Sequence, residues 1–429
     1  MAVPHRNNLF RTRLGELGSD VSGMAPLEMS IARETRLPGT NLSVRLQTGG
    51  PELVDELSSP WRSLCDEAAD EIFYRPDWTH AYLAAFAPQT SITIISVWDG
   101  PRLCALLPLI RQRVWVAGLP AVQLTIPANV HSARAGFALC PGDDGESALR
   151  ALSQAIKALP RWDVLDVSHV LEGSGIDRLA ACARGEGFPV ARKRTSQTLY
   201  LPIVDSTGSK DQPPWMAGTR PKFRAHLRRT RRQLEEQGVV SLTHYNAADP
   251  AAVARFYDLE ASGWKGTEGT AIRCDPRTLH FYNSVASVAA QQGYFSLDFL
   301  EVNGKPIAGN LAFNFCGHYL LAKSAYDESF SRYGPGQLLV HAVLNESSQR
   351  GLHEFDFVGP ATWKQSRWAS ARRTSYRVFI FRKNLFGRLL YTARISARDA
   401  ARRLLGRQED ESQPLELKSK PQASGAVED

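Results

Sequence analysis

The chain has 429 residues, 43% hydrophobic and 22% charged, with a formal net charge of +7. That is ordinary globular composition at a length that allows two domains, each with its own core. No apolar run approaches the ~18–20 residues that span a bilayer, the basic N-terminus lacks the apolar stretch of a secretory signal, and the six cysteines show no C-x-x-C pair; these features argue against a membrane span, a disulfide framework and a zinc site, and read as buried thiols in a cytoplasmic protein.

Residues 1–40 mix Arg, Gly, Ser and Pro without period and read as a disordered arm. The first unit, 41–205, opens with a strand at 42–46 and a helical stretch at 51–67 that Pro60 breaks or kinks. Pro76 starts another helix, striped by Trp78, Ala81, Tyr82 and Phe86. Strands 92–97 and 103–110 flank Asp99-Gly100-Pro101, which is hairpin punctuation. Two further strand candidates follow, then helix 145–159, strand 162–167, helix 176–187 and a strand at 197–201. The run S-T-G-S-K-D-Q-P-P at 206–214 reads as a linker.

The second unit, 215–385, repeats the theme. A basic helix (222–237) precedes strand 239–243 and helices 250–264 and 277–292. A hairpin, 295–302 and 306–315, turns at Asn303-Gly304, the strongest short hairpin signal in the chain. Strand 318–326, the turn Gly334-Pro335-Gly336, an amphipathic helix (337–350), strand 354–358 and strand 376–381 complete it. Residues 386–407 form a basic amphipathic helix that docks on the protein body or lies on an anionic membrane surface, and 408–429 read as a disordered tail. The order of elements describes a mixed α/β fold occurring twice.

The Gly-Pro-Gly turn carries the most chemistry. A helix leaves its first N–H groups without intrahelical partners, and these point the positive end of its dipole at any anion. Glycine there admits close backbone approach to a pyrophosphate, so the pattern suggests an enzyme that uses a phosphorylated carrier. Seven cations lie within 220–232. There Phe223, Leu227, Thr230 and Leu234 form an inward stripe and leave Arg224, Arg228, Arg231 and Arg232 outward, either as a solvated face or as an attractor of carrier phosphates or tRNA. No Ser-His-Asp or Cys-His pattern is visible, so any group transfer should be direct.

Several segments together resemble one family: R-R-x-R-R-x-L-x-x-x-G (228–238), Gly263-Trp264-Lys265, N-G-K-P-I-A-G (303–309), A-Y-D (325–327), Gly334-Pro335-Gly336, and D-F-x-G followed by W-K (Asp356, Gly359, Trp363, Lys364). The chain resembles the CelD-type branch of the GNAT acyltransferase superfamily, associated with cellulose and exopolysaccharide biosynthesis and similar in fold to the Fem-type aminoacyltransferases. One departure stands out: Ser331 holds the first place of the usual cofactor loop, Arg332 comes one position late, and Pro335 occupies the middle.

The resemblance implies tandem GNAT-like domains, each a twisted, mostly antiparallel sheet flanked by helices. It implies transfer of an acyl group, acetyl first among them, from acyl-CoA to an amine or hydroxyl of a sugar or polysaccharide precursor, with no metal. On it, Gly334, Gly336, Gln337 and Leu338 cradle the phosphates. Tyr326 serves the departing thiolate and Asp327 takes the proton. Trp264, Lys265, Asp356 and Lys364 contact a small-molecule or glycan acceptor. The first unit lacks a comparable glycine turn and should bind no cofactor. Two alternatives stay open: an aminoacyl-tRNA-dependent Fem-like transferase, and a non-catalytic member of a polysaccharide synthesis complex with peripheral membrane contact.

Overall fold

A computed structural model describes residues 33–405 except 38, 69–70, 204–213, 217–218, 348 and 369–370, and in the last helix it describes side chains only as far as Ile395. Residues 1–32 of the expected arm, nearly all of the linker, and the tail lie outside the described residues.

The first unit runs β1 (Arg33–Arg36), β2 (Leu42–Gly49), α1 (Glu52–Glu56), α2 (Ser58–Ala68), α3 (Pro76–Phe86), β3 (Ile92–Asp99), β4 (Arg102–Val116), β5 (Leu119–Thr125), β6 (Ala138–Leu139), α4 (Gly142–Ala158), β7 (Val164–Leu171), α5 (Gly175–Gly185) and β8 (Val190–Pro202). The second runs α6 (Pro221–Glu235), β9 (Val240–Tyr245), α7 (Pro250–Ser262), α8 (Trp264–Thr267), α9 (Pro276–Gln291), β10 (Phe295–Val302), β11 (Lys305–Phe315), β12 (His318–Tyr326), α10 (Pro335–Glu346), β13 (Glu354–Pro360), β14 (Ala371–Phe381) and α11 (Leu385–Leu405).

All of these strands join one mixed, mostly antiparallel sheet in the order β1-β2-β3-β4-β5-β7-β14-β8-β13-β12-β11-β10-β9, with β6 beside β4. The two halves mirror each other. Each has a meander that ends in one parallel pair, β5 with β7 and β12 with β13. A parallel pair needs a crossover connection, and α4 and α10 supply it. The last strands are exchanged: β8 of the first unit pairs with β13 of the second, while β14 pairs with β7 of the first. β8 and β14 also pair with each other along most of their length, from Ala371↔Tyr200 to Ile380↔Val190.

Local chemistry explains most elements. The Asn303-Gly304 turn has φ of 51° and 75°, positive at both residues, as a type I′ hairpin turn requires. β10 is buried along its whole length, because helices cover both faces of that part of the sheet. The apolar core is shared between units: Trp78 on α3 packs edge-on against Phe281 on α9 at 5.2 Å and Phe313 on β11 at 5.9 Å.

Some expectations change. Residues 33–36, assigned to the arm, pair with β2. Pro60 sits in the first turn of α2, where its missing N–H costs nothing, and the helix break falls at Leu57. The helix read as 250–264 stops at Ser262, and Trp264 opens a separate short helix. β8 and β14 begin well before their apolar stretches, at Val190 and Ala371. Their polar halves stabilise each other by cross-strand contacts, such as the Arg192 guanidinium 3.4 Å above the Tyr376 ring. Cys274 and Cys316, read as buried thiols, are exposed. Among the described residues, no helix is long and apolar enough to cross a membrane, and no group of three or more His, Cys, Asp or Glu side chains could hold a metal ion.

Candidate active site

β12 and β13 pair only at His318↔Glu354, Tyr319↔Phe355 and Leu320↔Asp356. Beyond that point β13 is irregular: its register against β8 shifts between Asp356 and Pro360, and Val358 has φ of 58°. A β-branched residue at positive φ is strained and persists only where its surroundings impose it. Here Asp356 Oδ1 accepts from the Val358 N–H at 2.7 Å. A bulge of this kind bends the strand, so β13 leaves β12 and a gap opens toward their carboxyl ends.

The gap has backbone polar groups along one wall. The Asp327 N–H donates to Ile307 O on β11 at 2.9 Å. Strand alternation then turns the N–H and C=O of Ser324 and Tyr326 to the opposite side, into the gap. A crevice at the carboxyl ends of parallel strands is where α/β sheets take ligands.

α10 begins beside this opening. Gly334, at φ 61° and ψ 50°, is its N-cap, and no side chain caps the helix. A Cβ added at Gly334 or Gly336 would meet nothing within 4 Å. The expected row of bare amides is, however, shorter than the sequence suggested. Pro335 has no N–H, and the amides of Gln337 and Leu338 both return to Gly334 O, at 2.9 and 3.1 Å. The Gly336 N–H is left as the first-turn donor without a backbone partner among the described residues. The Gln337 side chain accepts from Trp368 Nε1 at 2.8 Å, and the Leu338 side chain is buried in the core; these two residues build the turn rather than offer donors. α4, the corresponding helix of the first unit, opens with Asp143 and Asp144, and a Cβ at its Gly145 would strike Cys140 O. Acidic residues favour that helix end and repel an anion.

The other candidates gather around the end of β12, in unequal roles. Tyr326 is half-buried, with the exposed Lys364 placing its ammonium 5.9 Å from the ring. Asp327 caps the turn that follows, accepting from Ser329 N–H at 3.0 Å, Ser329 Oγ at 2.6 Å and Lys305 Nζ at 3.2 Å. Burial would raise its pKa, but the Ser329 and Lys305 bonds outweigh that and hold it below the usual carboxylate value. Asp327 is therefore a structural cap and a poor base. Trp264 is 52% exposed, and its N–H is anchored on Glu328 Oε1 at 2.9 Å. Lys265 braces the gap: its Nζ donates to Glu260 Oε1 and to Ser324 O, both at 2.9 Å.

Asp356 departs furthest from expectation. The resemblance placed it as an acceptor contact, yet β13 is interior and the carboxylate is wholly buried, clasped by Arg134 of the first unit and by Arg373 Nη1 at 2.9 Å. Arg134 in turn binds Glu71, and Arg373 binds Glu354. This network joins both units at the point where the gap begins. Arg134, Glu71 and Arg373 went unnoticed because no motif surrounds them in sequence.

A second group escaped notice for the same reason. His131, on a loop of the first unit, stacks on Phe86 at 5.6 Å, and its ring nitrogens lie 3.4 Å from Tyr282 Oη and from Thr278 Oγ1. Burial, with the Lys323 ammonium adding to it, pushes the His131 pKa down to about 4. The unfolded chain takes up this proton near pH 6.5, so native stability falls as pH drops from about 6.5 to about 4. His131→Gln should therefore show a smaller loss of melting temperature than the wild type between pH 7 and pH 4.5 in differential scanning fluorimetry. An equal loss in both proteins would remove His131 as a source of acid sensitivity.

Comparison with known proteins bears on the second unit and on the fold. Residues 221–368, from α6 to the loop after β13, match the family described as acetyltransferase (GNAT) domain. The crystal structure of FemX is similar over 79% of this chain and 98% of its own, at 12% identity and a TM-score of 0.52, a likeness of fold. A tandem GNAT protein from the clavulanic acid biosynthesis pathway aligns with 78% of this chain and 98% of its own, at 13% identity and a TM-score of 0.40. No curated protein matches the chain by sequence.

Proposed function

We propose that the protein is a GNAT-type acyltransferase that moves an acyl group, acetyl first among them, from acyl-CoA to an amine or hydroxyl of a sugar or polysaccharide precursor. The observation that carries the reading is the opening between β12 and β13 beside the uncovered glycine start of α10. On this reading the Gly336 N–H and the positive end of α10 meet the pyrophosphate. Lys364 adds a cation near Tyr326, and the Tyr326 backbone pairs with the amides of the extended carrier arm. Among the described residues none bonds the Tyr326 hydroxyl, which leaves it available to protonate the departing thiolate. Asp327 and Asp356 drop out of the chemistry, as cap and as strut.

Isothermal titration with acetyl-CoA and longer acyl-CoAs tests the donor; absence of heat with every one would remove the reading. With glucosamine as trial acceptor and thiol release as readout, Tyr326→Phe should lower kcat by roughly 100-fold, the scale of one general acid. A non-catalytic member of a polysaccharide synthesis complex would tolerate both Tyr326→Phe and Lys364→Ala in a cell-based polymer assay.

One observation favours a second donor, aminoacyl-tRNA. α6 turns Phe223, Leu227, Thr230 and Leu234 inward and exposes Lys222, Arg228, Arg229 and Arg232, close to α10, because Phe223 packs on Trp368 at 4.9 Å. A cationic face of this kind binds polyanions with steep salt dependence. A gel shift with charged tRNA that shows no complex at moderate salt would eliminate it.

A further inference from the structure

Lys323 stands on β12 immediately before Ser324, whose carbonyl faces the gap. Its side chain leaves the sheet toward α7 and α9, with Nζ 5.3 Å from the Tyr282 ring. The neighbouring carboxylate cannot neutralise it at close range. Glu260, 2% exposed, already accepts from Lys265 Nζ at Oε1 and from the Ile272 N–H at Oε2, each at 2.9 Å. Among the described residues, Lys323 has no carboxylate within ion-pair distance. A largely covered ammonium without a paired counterion is an arrangement that folding alone does not favour, and such groups mark working sites.

Polar groups from several elements surround it. Facing Lys323 are Glu260 of α7, Lys265 of α8 and Tyr282 of α9, and beyond Tyr282 lies His131 of the first unit, bonded to the same tyrosine. Asp275, the remaining carboxylate near His131, is held by Arg277. Burial lowers the Lys323 pKa, Glu260 partly opposes this, and Lys265 adds to the lowering, so the amine is neutral more readily than an ordinary lysine. The other bases nearby are unsuited: Asp327 is a fixed cap, His131 holds a proton too weakly, and Lys265 has two of its three donors committed.

We propose that Lys323 accepts the proton of the acceptor amine or hydroxyl, and that the acceptor approaches the gap on the face of the sheet that Lys323 shares with α7 and α9. The inference rests on the acyltransferase reading. The acceptor nitrogen or oxygen attacks the thioester carbonyl carbon; the new C–N or C–O bond forms and the C–S bond breaks. The departing sulfur takes its proton from Tyr326 Oη, the acceptor's proton passes to Lys323 Nζ, and Lys323 returns it through water to Tyr326, so that the proton count closes.

Two measurements test this in the full chain. Competitive labelling with acetic anhydride from pH 6 to 11, read by mass spectrometry, should give Lys323 a midpoint below the ~10.4 of a free lysine. With acetyl-CoA and glucosamine, Lys323→Ala and Lys323→Arg should each lower kcat roughly 100-fold, leave acetyl-CoA affinity unchanged by calorimetry, and lose the limb of the pH profile that rises as the lysine deprotonates. Added ethylamine should partly restore Lys323→Ala. Near-wild-type turnover by Lys323→Arg with intact acetyl-CoA binding would overturn this assignment alone, since a fixed charge cannot accept a proton. An ordinary labelling midpoint would overturn it as well, and decides the matter if glucosamine is not turned over. Failure of the wild type to bind any acyl-CoA would remove the acyltransferase reading and this inference together.

Discussion

Gly336→Glu should reduce acetyl-CoA affinity by at least ~100-fold, about 2.7 kcal/mol, with little change in melting temperature. The position faces open space, so a side chain there disturbs no neighbour. What it disturbs is the approach of an anion to the Gly336 N–H. A carboxylate ~4 Å from a phosphate charge near a protein surface repels it by roughly 4 kcal/mol, more than enough for the expected loss. Gly336→Ala separates the two contributions: alanine is the better helix former, so stability should hold or rise while affinity falls by a smaller factor. Calorimetric titration beside scanning fluorimetry measures both. Full acetyl-CoA affinity in Gly336→Glu would place the donor elsewhere.

The second large effect falls on stability. Asp356→Ala should lower the unfolding free energy by about 3–5 kcal/mol, the usual cost of removing one partner from a buried ion pair. Arg134, 1% exposed at its side chain, would keep only Glu71, and Arg373 only Glu354. The same change frees the Val358 N–H from Asp356 Oδ1. β13 then loses the bond that holds its strained residue, and acetyl-CoA affinity should fall with stability. Asp356→Asn can keep a hydrogen bond to Val358 yet withdraws the charge between two guanidiniums, so it should recover affinity better than stability. Chemical denaturation monitored by fluorescence gives the free energies. A loss under 1 kcal/mol for Asp356→Ala would show that the network is solvent-screened and does not brace the gap.

The parts of the fold that were legible in sequence are those set by local chemistry. Asn303-Gly304 defines its hairpin because its backbone conformation suits few other pairs. The inward stripe of α6 follows from helical periodicity, and each of its members is buried. The glycine turn before α10 was visible because glycine and proline punctuate a chain wherever they occur. Its donors were overcounted: which amides a first turn keeps depends on how the turn closes, and Gly334 O takes two of them.

Asp356 shows where sequence reasoning stops. Alternation with Phe355 and Phe357 says that it faces away from them, and nothing local says whether water or another strand covers that face. β8 covers one edge of β13, and Arg134, 222 residues away in the chain, reaches the carboxylate. His131, Glu260, Tyr282 and Lys323 meet for the same long-range reason.

By itself, then, the sequence determined two mixed α/β units, a glycine turn before a helix in the second and a cationic helix, because periodicity, turn chemistry and charge spacing act over a few residues. Only the tertiary structure decided that β8 and β14 change places, that a bulge at Val358 parts β12 from β13, and that charges from both units converge where they part. Strand exchange, gap and buried network all arise from pairings between distant segments, whose energies lie in burial and electrostatic contact rather than in any local preference of the chain.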